Sequence, residues 1–125
     1  MKLMSIRLEL GRTEDFPEGS SRHGFEFVAP LTPEGHLDSH AWFKMKDRCT
    51  VRHFWAGQED KFGFLRHVGQ GWRFDYDPSD KEDDEPLFKL DRHTIAPGLY
   101  VSVTGQDGVQ RPFKIVSVAS ARTDL

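Results

Sequence analysis

His53 and Arg66 are the side chains of this sequence best suited to bind an anion. In the strand pairing that the turns indicate, both lie on one apolar face, diagonally across neighbouring strands. An arginine on such a face needs an anion beside it, because an unpaired buried charge is very costly. Its guanidinium can donate two parallel hydrogen bonds to a ligand carboxylate or phosphate, between walls formed by Trp55 and Phe74. The pattern therefore predicts a binding or active site for a small anion.

Two other arrangements would satisfy Arg66 without a ligand. The guanidinium could pair internally with a carboxylate such as Glu26 or Asp91. A different register between the strands would instead place Arg66 in water. Structural ion pairs use the same residue types as anion sites, so the sequence leaves these alternatives open.

His36 and His40 have the four-residue spacing that puts two imidazoles on one face of a helix, which suits zinc. However, Gly35 and a helix N-cap at Asp38 would place His36 before the helix. The neighbouring sequence offers no cysteine and no evident third ligand. We therefore expect two solvated histidines here.

Asp75, Asp77 and Ser79 have the spacing of the first ligands in a calcium-binding EF-hand loop. The glycine and the glutamate that such a loop requires further along are replaced by Asp80 and Pro86. The segment 77–86 is therefore expected to be a solvated acidic loop. We expect neither a metal site nor a cofactor.

A basic stretch over 44–53 is interleaved with aromatic residues, a composition that can bind single-stranded nucleic acid on a barrel face. Its basic members are Lys44, Lys46, Arg48, Arg52 and His53, and the aromatic ones are Trp42, Phe43, Phe54 and Trp55. The acidic segment that follows and the formal net charge of −3 argue against a basic footprint. Nucleic acid is therefore an unfavoured partner.

The sequence contains no nucleophile elbow, phosphate-binding loop or dinucleotide fingerprint. Its single cysteine, Cys49, falls on the apolar face of a strand, which favours a structural thiol over a reactive one. We expect no catalytic residue and favour a protein that is not an enzyme.

Period-2 alternation and closely spaced turn residues predict a mainly β fold. We expect a small antiparallel barrel or sandwich of about seven strands, with one short helix over 39–46 capped by Asp38. The helix would pack through Ala41, Trp42 and Met45. The strand-like runs are 4–10, 25–27, 49–55, 62–68, 72–76, 99–103 and 113–118, with 87–90 as a further short one.

Symmetric turns at 56–61 and at Gln70 would set Trp55 opposite Phe62 and Val68 opposite Trp72. Because side chains alternate along a strand, one face of this meander would then form the core. The predicted core face comprises Cys49, Val51, His53, Trp55, Phe62, Phe64, Val68, Trp72, Phe74 and Tyr76. The predicted solvated face comprises Thr50, Arg52, Phe54, Gly63, Leu65, His67, Arg73 and Asp75.

The length of 125 residues, with 37% hydrophobic and 30% charged residues, indicates one folded domain over 1–125 with a frayed end at about 119–125. A single cysteine excludes an internal disulfide and fits a reducing compartment. The first residues lack the apolar stretch of a signal peptide, and no apolar run approaches the roughly 18 residues that span a membrane. We expect a cytoplasmic protein that does not enter the membrane.

Two segments, Cys49–Trp55 and Pro97–Val103, resemble those of a family of small bacterial proteins that carry no assigned function. The resemblance would extend over most of the chain. It implies no activity, cofactor or site.

The function we expect from the sequence is that of a non-catalytic protein-interaction module. Arg52, Phe54, Leu65 and Arg73 share the predicted solvated face, and arginine and aromatic residues are enriched at binding hot spots. Alternatively, the helix or the rest of the barrel covers Phe54 and Leu65. The other functions are a small anionic-ligand binder or enzyme using His53 and Arg66, and a weak single-stranded nucleic-acid binder. The identity of a protein partner and the oligomeric state do not follow from the sequence.

Overall fold

A computed structural model describes residues 3–69, 71–76, 85–88 and 94–121, and within them the chain forms eight strands and one α-helix. All neighbouring strands pair antiparallel in chain order, and the last strand pairs with the first to close a barrel. The prediction of a mainly β fold with one short helix is confirmed, and the barrel alternative is the one that forms. The elements are β1 Leu3–Leu10, β2 Ser20–Pro30, α1 Ser39–Met45, β3 Thr50–Trp55, β4 Lys61–Val68, β5 Gly71–Asp75, β6 Glu85–Phe88, β7 Tyr100–Thr104 and β8 Gln110–Ser120.

The inner faces of the strands form one apolar core, as period-2 alternation requires. Phe25, Phe27 and Phe74 are among its largest fully buried side chains. The ring centroids of Phe25 and Phe74 lie 4.9 Å apart, and those of Phe27 and Phe74 lie 5.2 Å apart. Aromatic side chains of this size fill the interior of a barrel with few strands.

The helix α1 packs on the end of the barrel where β2 ends and β3 begins. It starts as predicted, because the Asp38 carboxylate accepts a hydrogen bond of 3.0 Å from the Ala41 amide. Trp42 is buried and donates its indole N–H to the Leu65 carbonyl at 2.9 Å. This contact fixes the helix to β4 and covers that end of the core.

The predicted pairing of β3 with β4 is wrong by three residues. Val51 lies opposite Gly63, and His53 lies opposite Lys61. The chain turns tightly after Trp55, whose carbonyl accepts from the Gln58 amide, with Gly57 in the left-handed region at a φ of 85°. The two strands are therefore paired symmetrically about Gly57, and each β3 residue meets β4 three positions earlier than predicted.

The predicted pairing of β4 with β5 is wrong by one residue, since Val68 lies opposite Gly71 rather than Trp72. An odd slip turns every side chain of a strand to the other face. The faces of β4 are therefore reversed: Leu65 points into the core, while Phe62, Phe64, Arg66 and Val68 lie outside. The error between β4 and β5 is also odd and cancels the error between β3 and β4. Trp72 and Phe74 of β5 therefore lie inside, as predicted.

Phe54 lies on the outer face, as predicted, but it is only 7% exposed. The guanidinium groups of Arg7 and Arg52 lie over its ring at 4.4 and 4.9 Å. Both guanidinium groups donate to the same Glu26 carboxylate oxygen at 2.5 Å. Cation–π contact and this shared carboxylate therefore cover Phe54 from outside.

At the end of the described chain, β8 continues to Ser120, so positions 119–120 are strand and not a frayed tail. In the described residues, no helix has both the length and the apolar character needed to cross a membrane.

Candidate ligand site at the open end of the barrel

The barrel end opposite α1 contains a cavity of about 320 Å³. Ligand sites for small molecules typically have volumes of about 300–1,000 Å³, so this cavity is at the small end of that range. The turn after β3 and the hairpin turn between β7 and β8 form its rim. Among its lining residues are the aromatic side chains of Phe25, His53, Trp55 and Phe113 and the charged side chains of Lys61, Glu85, Asp107 and Arg111.

His53 projects from β3 into this end of the barrel, and its side chain is 15% exposed. Its ring stacks on Phe25, with centroids 4.4 Å apart and planes 16° apart. Burial lowers the pKa of His53 to about 4, and the nearby Lys61 ammonium adds to this shift. Its Nε2 atom is buried without a hydrogen-bond partner in the described chain. Near neutral pH the ring is therefore uncharged and forms part of an aromatic wall.

Glu85 is a buried carboxylate on the inner face of β6, opposite Phe74 of β5. Tyr76 donates its hydroxyl to Glu85 Oε1 at 2.5 Å, and His53 Nδ1 lies 3.8 Å from the same oxygen. The sequence did not lead us to expect Glu85 at this site, because it falls in the predicted acidic loop over 77–86. Alternation along β6 could have indicated it, since Glu85 lies two residues before the core residue Leu87 and therefore on the same face.

Asp107 and Arg111 form an ion pair across the rim. Two guanidinium nitrogens of Arg111 donate to the two carboxylate oxygens of Asp107, at 3.2 and 2.8 Å. These hydrogen bonds lower the pKa of Asp107 to about 2. The two charges therefore neutralise each other at the entrance to the cavity.

Lys61, at the start of β4, also lines the cavity. Its side chain has no hydrogen bond or ion pair in the part of the chain that the structure describes. The neighbouring Asp60 carboxylate is already bound by Arg52 at 2.9 Å. Among the described residues, Lys61 is thus a cation at the entrance without a counter-ion of its own.

The described lining of the cavity is aromatic and charged, with no hydroxyl or thiol side chain. None of the described residues that line it is a serine, threonine or cysteine. Cys49 is fully buried elsewhere in the core, and burial raises its thiol pKa to about 11. In the described ranges, no three His, Cys, Asp or Glu side chains converge as a metal site would require.

The structure separates the predicted anion-binding pair. His53 lies inside the barrel, whereas Arg66 lies outside with 47% of its side chain exposed. Arg66 donates to the carboxylate of Asp75 at 3.0 Å. Arg66 therefore lies in water, as the alternative strand register would place it. Its carboxylate partner is Asp75 and not the Glu26 considered above. The other carboxylate considered, Asp91, lies outside the described residues.

The four residues of the predicted partner surface do not form one exposed patch. Leu65 is 1% exposed and points into the core, and Phe54 is covered by Arg7 and Arg52. Arg52 and Arg73 remain on the outer faces of β3 and β5. The outward aromatic residues of this region are instead Phe62 and Phe64.

The basic stretch is divided among three environments. Lys44, Lys46 and Arg48 are exposed at α1 and the short 3-10 turn that follows it. Arg52 is held by Glu26 and Asp60 on the outer face, while His53 lies inside the barrel. Trp42 is buried at one end of the barrel and Trp55 lies at the other. A continuous basic and aromatic surface is therefore not formed by these residues.

The two partial metal motifs have different outcomes. His36 precedes α1 and His40 lies in its first turn, so the two imidazoles do not share a helix face. In the calcium-like motif, positions 77, 79 and 80 lie outside the described residues, whereas Pro86 lies in strand β6.

Comparison with known proteins adds no functional assignment: the chain matches no protein-family model, no curated protein and no solved structure.

Proposed function

We propose that this protein binds a small molecule in the open end of its barrel. The observation that carries the proposal is a cavity of about 320 Å³ that combines aromatic walls with charged groups at one end of a closed β-structure. An eight-stranded barrel has an interior just wide enough to hold one small ligand when side chains do not fill it completely. Here α1 covers one end of the barrel, and the cavity lies at the other.

A binding function suits the chemistry of the lining better than catalysis does. His53 is a weak base, because its pKa is lowered to about 4. Glu85 is engaged by Tyr76 inside the barrel. The groups that line the cavity therefore supply shape, aromatic contact and charge, which are the properties of a recognition site.

The experiment that tests this proposal is a screen of small aromatic fragments by two-dimensional ¹H–¹⁵N NMR. Binding in the cavity should shift the indole N–H of Trp55 and the amides of the turn that contains Gln58. The indole N–H of Trp42 serves as an internal control, because it is hydrogen bonded at the opposite end of the barrel. If no fragment shifts the Trp55 signals, or if Trp42 shifts equally, the open end is not the binding site.

Protein interaction is a second candidate function, now supported by a different surface. Phe62 and Phe64 lie on the outer face of β4 and are 68% and 43% exposed. Large exposed aromatic side chains placed together often mark a protein contact. Charges of both signs border Phe64, since Lys46, Arg66, Asp47 and Asp75 lie beside it in a shallow depression. A patch with both signs of charge suits a second copy of this chain, because a two-fold interface must be self-complementary.

Sedimentation velocity can test this second candidate with the double variant Phe62→Ser, Phe64→Ser. We expect the wild-type chain to self-associate as its concentration rises and the folded variant to remain monomeric. Phe43→Ser is the matched control, because Phe43 is equally exposed, at 67%, but lies on the helix. A wild-type chain that stays monomeric at high micromolar concentration would contradict the candidate.

A further inference from the structure

The charges that line the cavity are unequally satisfied. Asp107 is paired with Arg111 through two hydrogen bonds, and Glu85 accepts the Tyr76 hydroxyl. Lys61 alone among these charged groups has no hydrogen-bonding or ion-pair partner in the described residues. A ligand that entered the cavity would meet carboxylates that are already engaged and an ammonium group that is not.

The surroundings of Lys61 favour an anion over other polar groups. His53 lies directly opposite Lys61 in the ladder between β3 and β4 and carries no charge near neutral pH, so it does not compete for a ligand anion. Asp60, which follows the turn, is bound by Arg52 on the outer face. An anionic group beside Lys61 would therefore gain a charge-assisted hydrogen bond without displacing an existing ion pair.

The apolar part of the ligand is defined by the walls of the cavity. The rings of Phe25 and His53 are stacked, and Phe113 packs edge-on against Phe25 at 5.1 Å. The Trp55 ring meets His53 edge-on at 5.8 Å. Flat and edge-on aromatic surfaces of this kind pack best against another ring.

We propose that the ligand is a small aromatic carboxylate, with its ring among Phe25, His53 and Trp55 and its carboxylate beside Lys61. This inference rests on the proposed binding function and specifies the chemical class of the ligand. It assigns Lys61 as the residue that selects for negative charge, while the aromatic walls bind the ring whatever its charge.

Three probes of nearly equal shape test the inference: benzoate, benzamide and benzylamine. Each is titrated into the full chain at low salt, and binding is followed through the Trp55 indole N–H. We expect benzoate to bind about five- to tenfold more tightly than benzamide, the range that one charge-assisted hydrogen bond at a partly exposed site provides. Benzylamine should bind most weakly, and added salt should reduce the preference for benzoate.

Variants of Lys61 separate the charge from the shape of the site. Lys61→Gln should remove the preference for benzoate, and Lys61→Arg should largely retain it. Lys44→Gln is the matched control, because Lys44 is an exposed lysine on α1. Lys61 and Lys44 are both exposed, so all three substitutions should leave the fold intact, which the dispersion of the NMR spectrum checks.

The outcomes distinguish this inference from the proposed function. If benzamide binds as tightly as benzoate, or if Lys61→Gln keeps the full preference, the assignment of the ligand class is wrong while the cavity remains a binding site. If none of the three probes shifts Trp55 at millimolar concentration, both the ligand class and the proposed function are contradicted.

Discussion

At the scale of single residues, the enclosed imidazole of His53 makes the stability of the protein depend on pH. Its pKa is lowered from 6.5 to about 4, with burial as the largest cause. Between these two values the unfolded chain binds a proton that the folded chain does not. The contribution of His53 to the free energy of unfolding is therefore constant above about pH 6.5, and it falls as the pH is lowered toward 4.

We expect this loss to reach about 2 kcal/mol by about pH 5, since one pKa unit corresponds to about 1.4 kcal/mol. The measurement is the free energy of urea unfolding at several pH values, for the wild type and for His53→Gln. The groups near His53 include Lys61, Asp60, Glu85 and His23, and the difference between the two proteins isolates the imidazole.

A second variant, His23→Gln, controls for the other buried histidine. The pKa of His23 is also lowered, by burial and by the charge of Arg22. The larger part of the pH dependence should persist in His23→Gln and disappear in His53→Gln. An unchanged dependence in His53→Gln would show that the His53 ring is not buried in its neutral form.

Leu65 and Phe64 provide a test of the strand faces at the same scale. Leu65 is 1% exposed inside the barrel and Phe64 is 43% exposed outside it. Leu65→Ala should therefore cost about 2–5 kcal/mol of folding free energy, and Phe64→Ala clearly less despite its larger side chain. Chemical denaturation of both variants decides between them. A greater loss for Phe64→Ala would restore the register that the sequence first suggested.

At the scale of the elements, the absence of a side chain at Gly63 allows β4 to approach the backbone of β5 closely. A Cβ atom added at Gly63 would lie 2.3 Å from the Asp75 carbonyl oxygen, a backbone atom that cannot easily move. At Gly71, the added Cβ would meet only the Val68 carbonyl oxygen, at 3.7 Å. Gly63 therefore sits where only a hydrogen atom fits.

Gly63→Ala should destabilise the protein by about 1–3 kcal/mol or more, because overpacking displaces the backbone. Gly71→Ala is the matched control on the adjoining strand and should change stability by about 1 kcal/mol or less in either direction. Thermal unfolding of the two variants provides the comparison. Equal melting temperatures would mean that β4 and β5 are not paired in this register.

The elements were largely predictable because their signals are local. Alternation along β1, the Asp38 cap of α1 and the glycine-rich turns all lie within a few residues of the structures they specify. The register between β3 and β4 was missed because the predicted turn was centred on the middle of 56–61, whereas the strands pair symmetrically about Gly57. A run of six small and polar residues does not show by itself where the centre of its turn lies.

The candidate site could be predicted only in part, because its residues come from strands that are distant along the chain. His53 was identified because a histidine within an apolar alternation is visible in the sequence. Lys61 was assigned to a turn and Glu85 to an acidic loop, so their convergence with His53 depended on strand pairs that are distant along the chain. The predicted register between β3 and β4 was wrong by an odd number of residues, and it therefore placed Arg66 on the inner face.

At the scale of the whole molecule, the two ends of the barrel differ. Trp42 and α1 cover one end, while aromatic and charged side chains surround a cavity at the other. This asymmetry is the basis for the proposed binding function. It also separates the cavity from the exposed pair Phe62 and Phe64, which lies on the outer wall.

The most direct measurement of the central claim is the set of intermolecular nuclear Overhauser effects between benzoate and the full chain. The ring protons of benzoate should show contacts to the rings of Phe25, His53 and Trp55, which line the cavity. Contacts to Phe62 or Phe64 alone would place the ligand on the outer wall of the barrel, and would contradict the claim that the open end is the binding site.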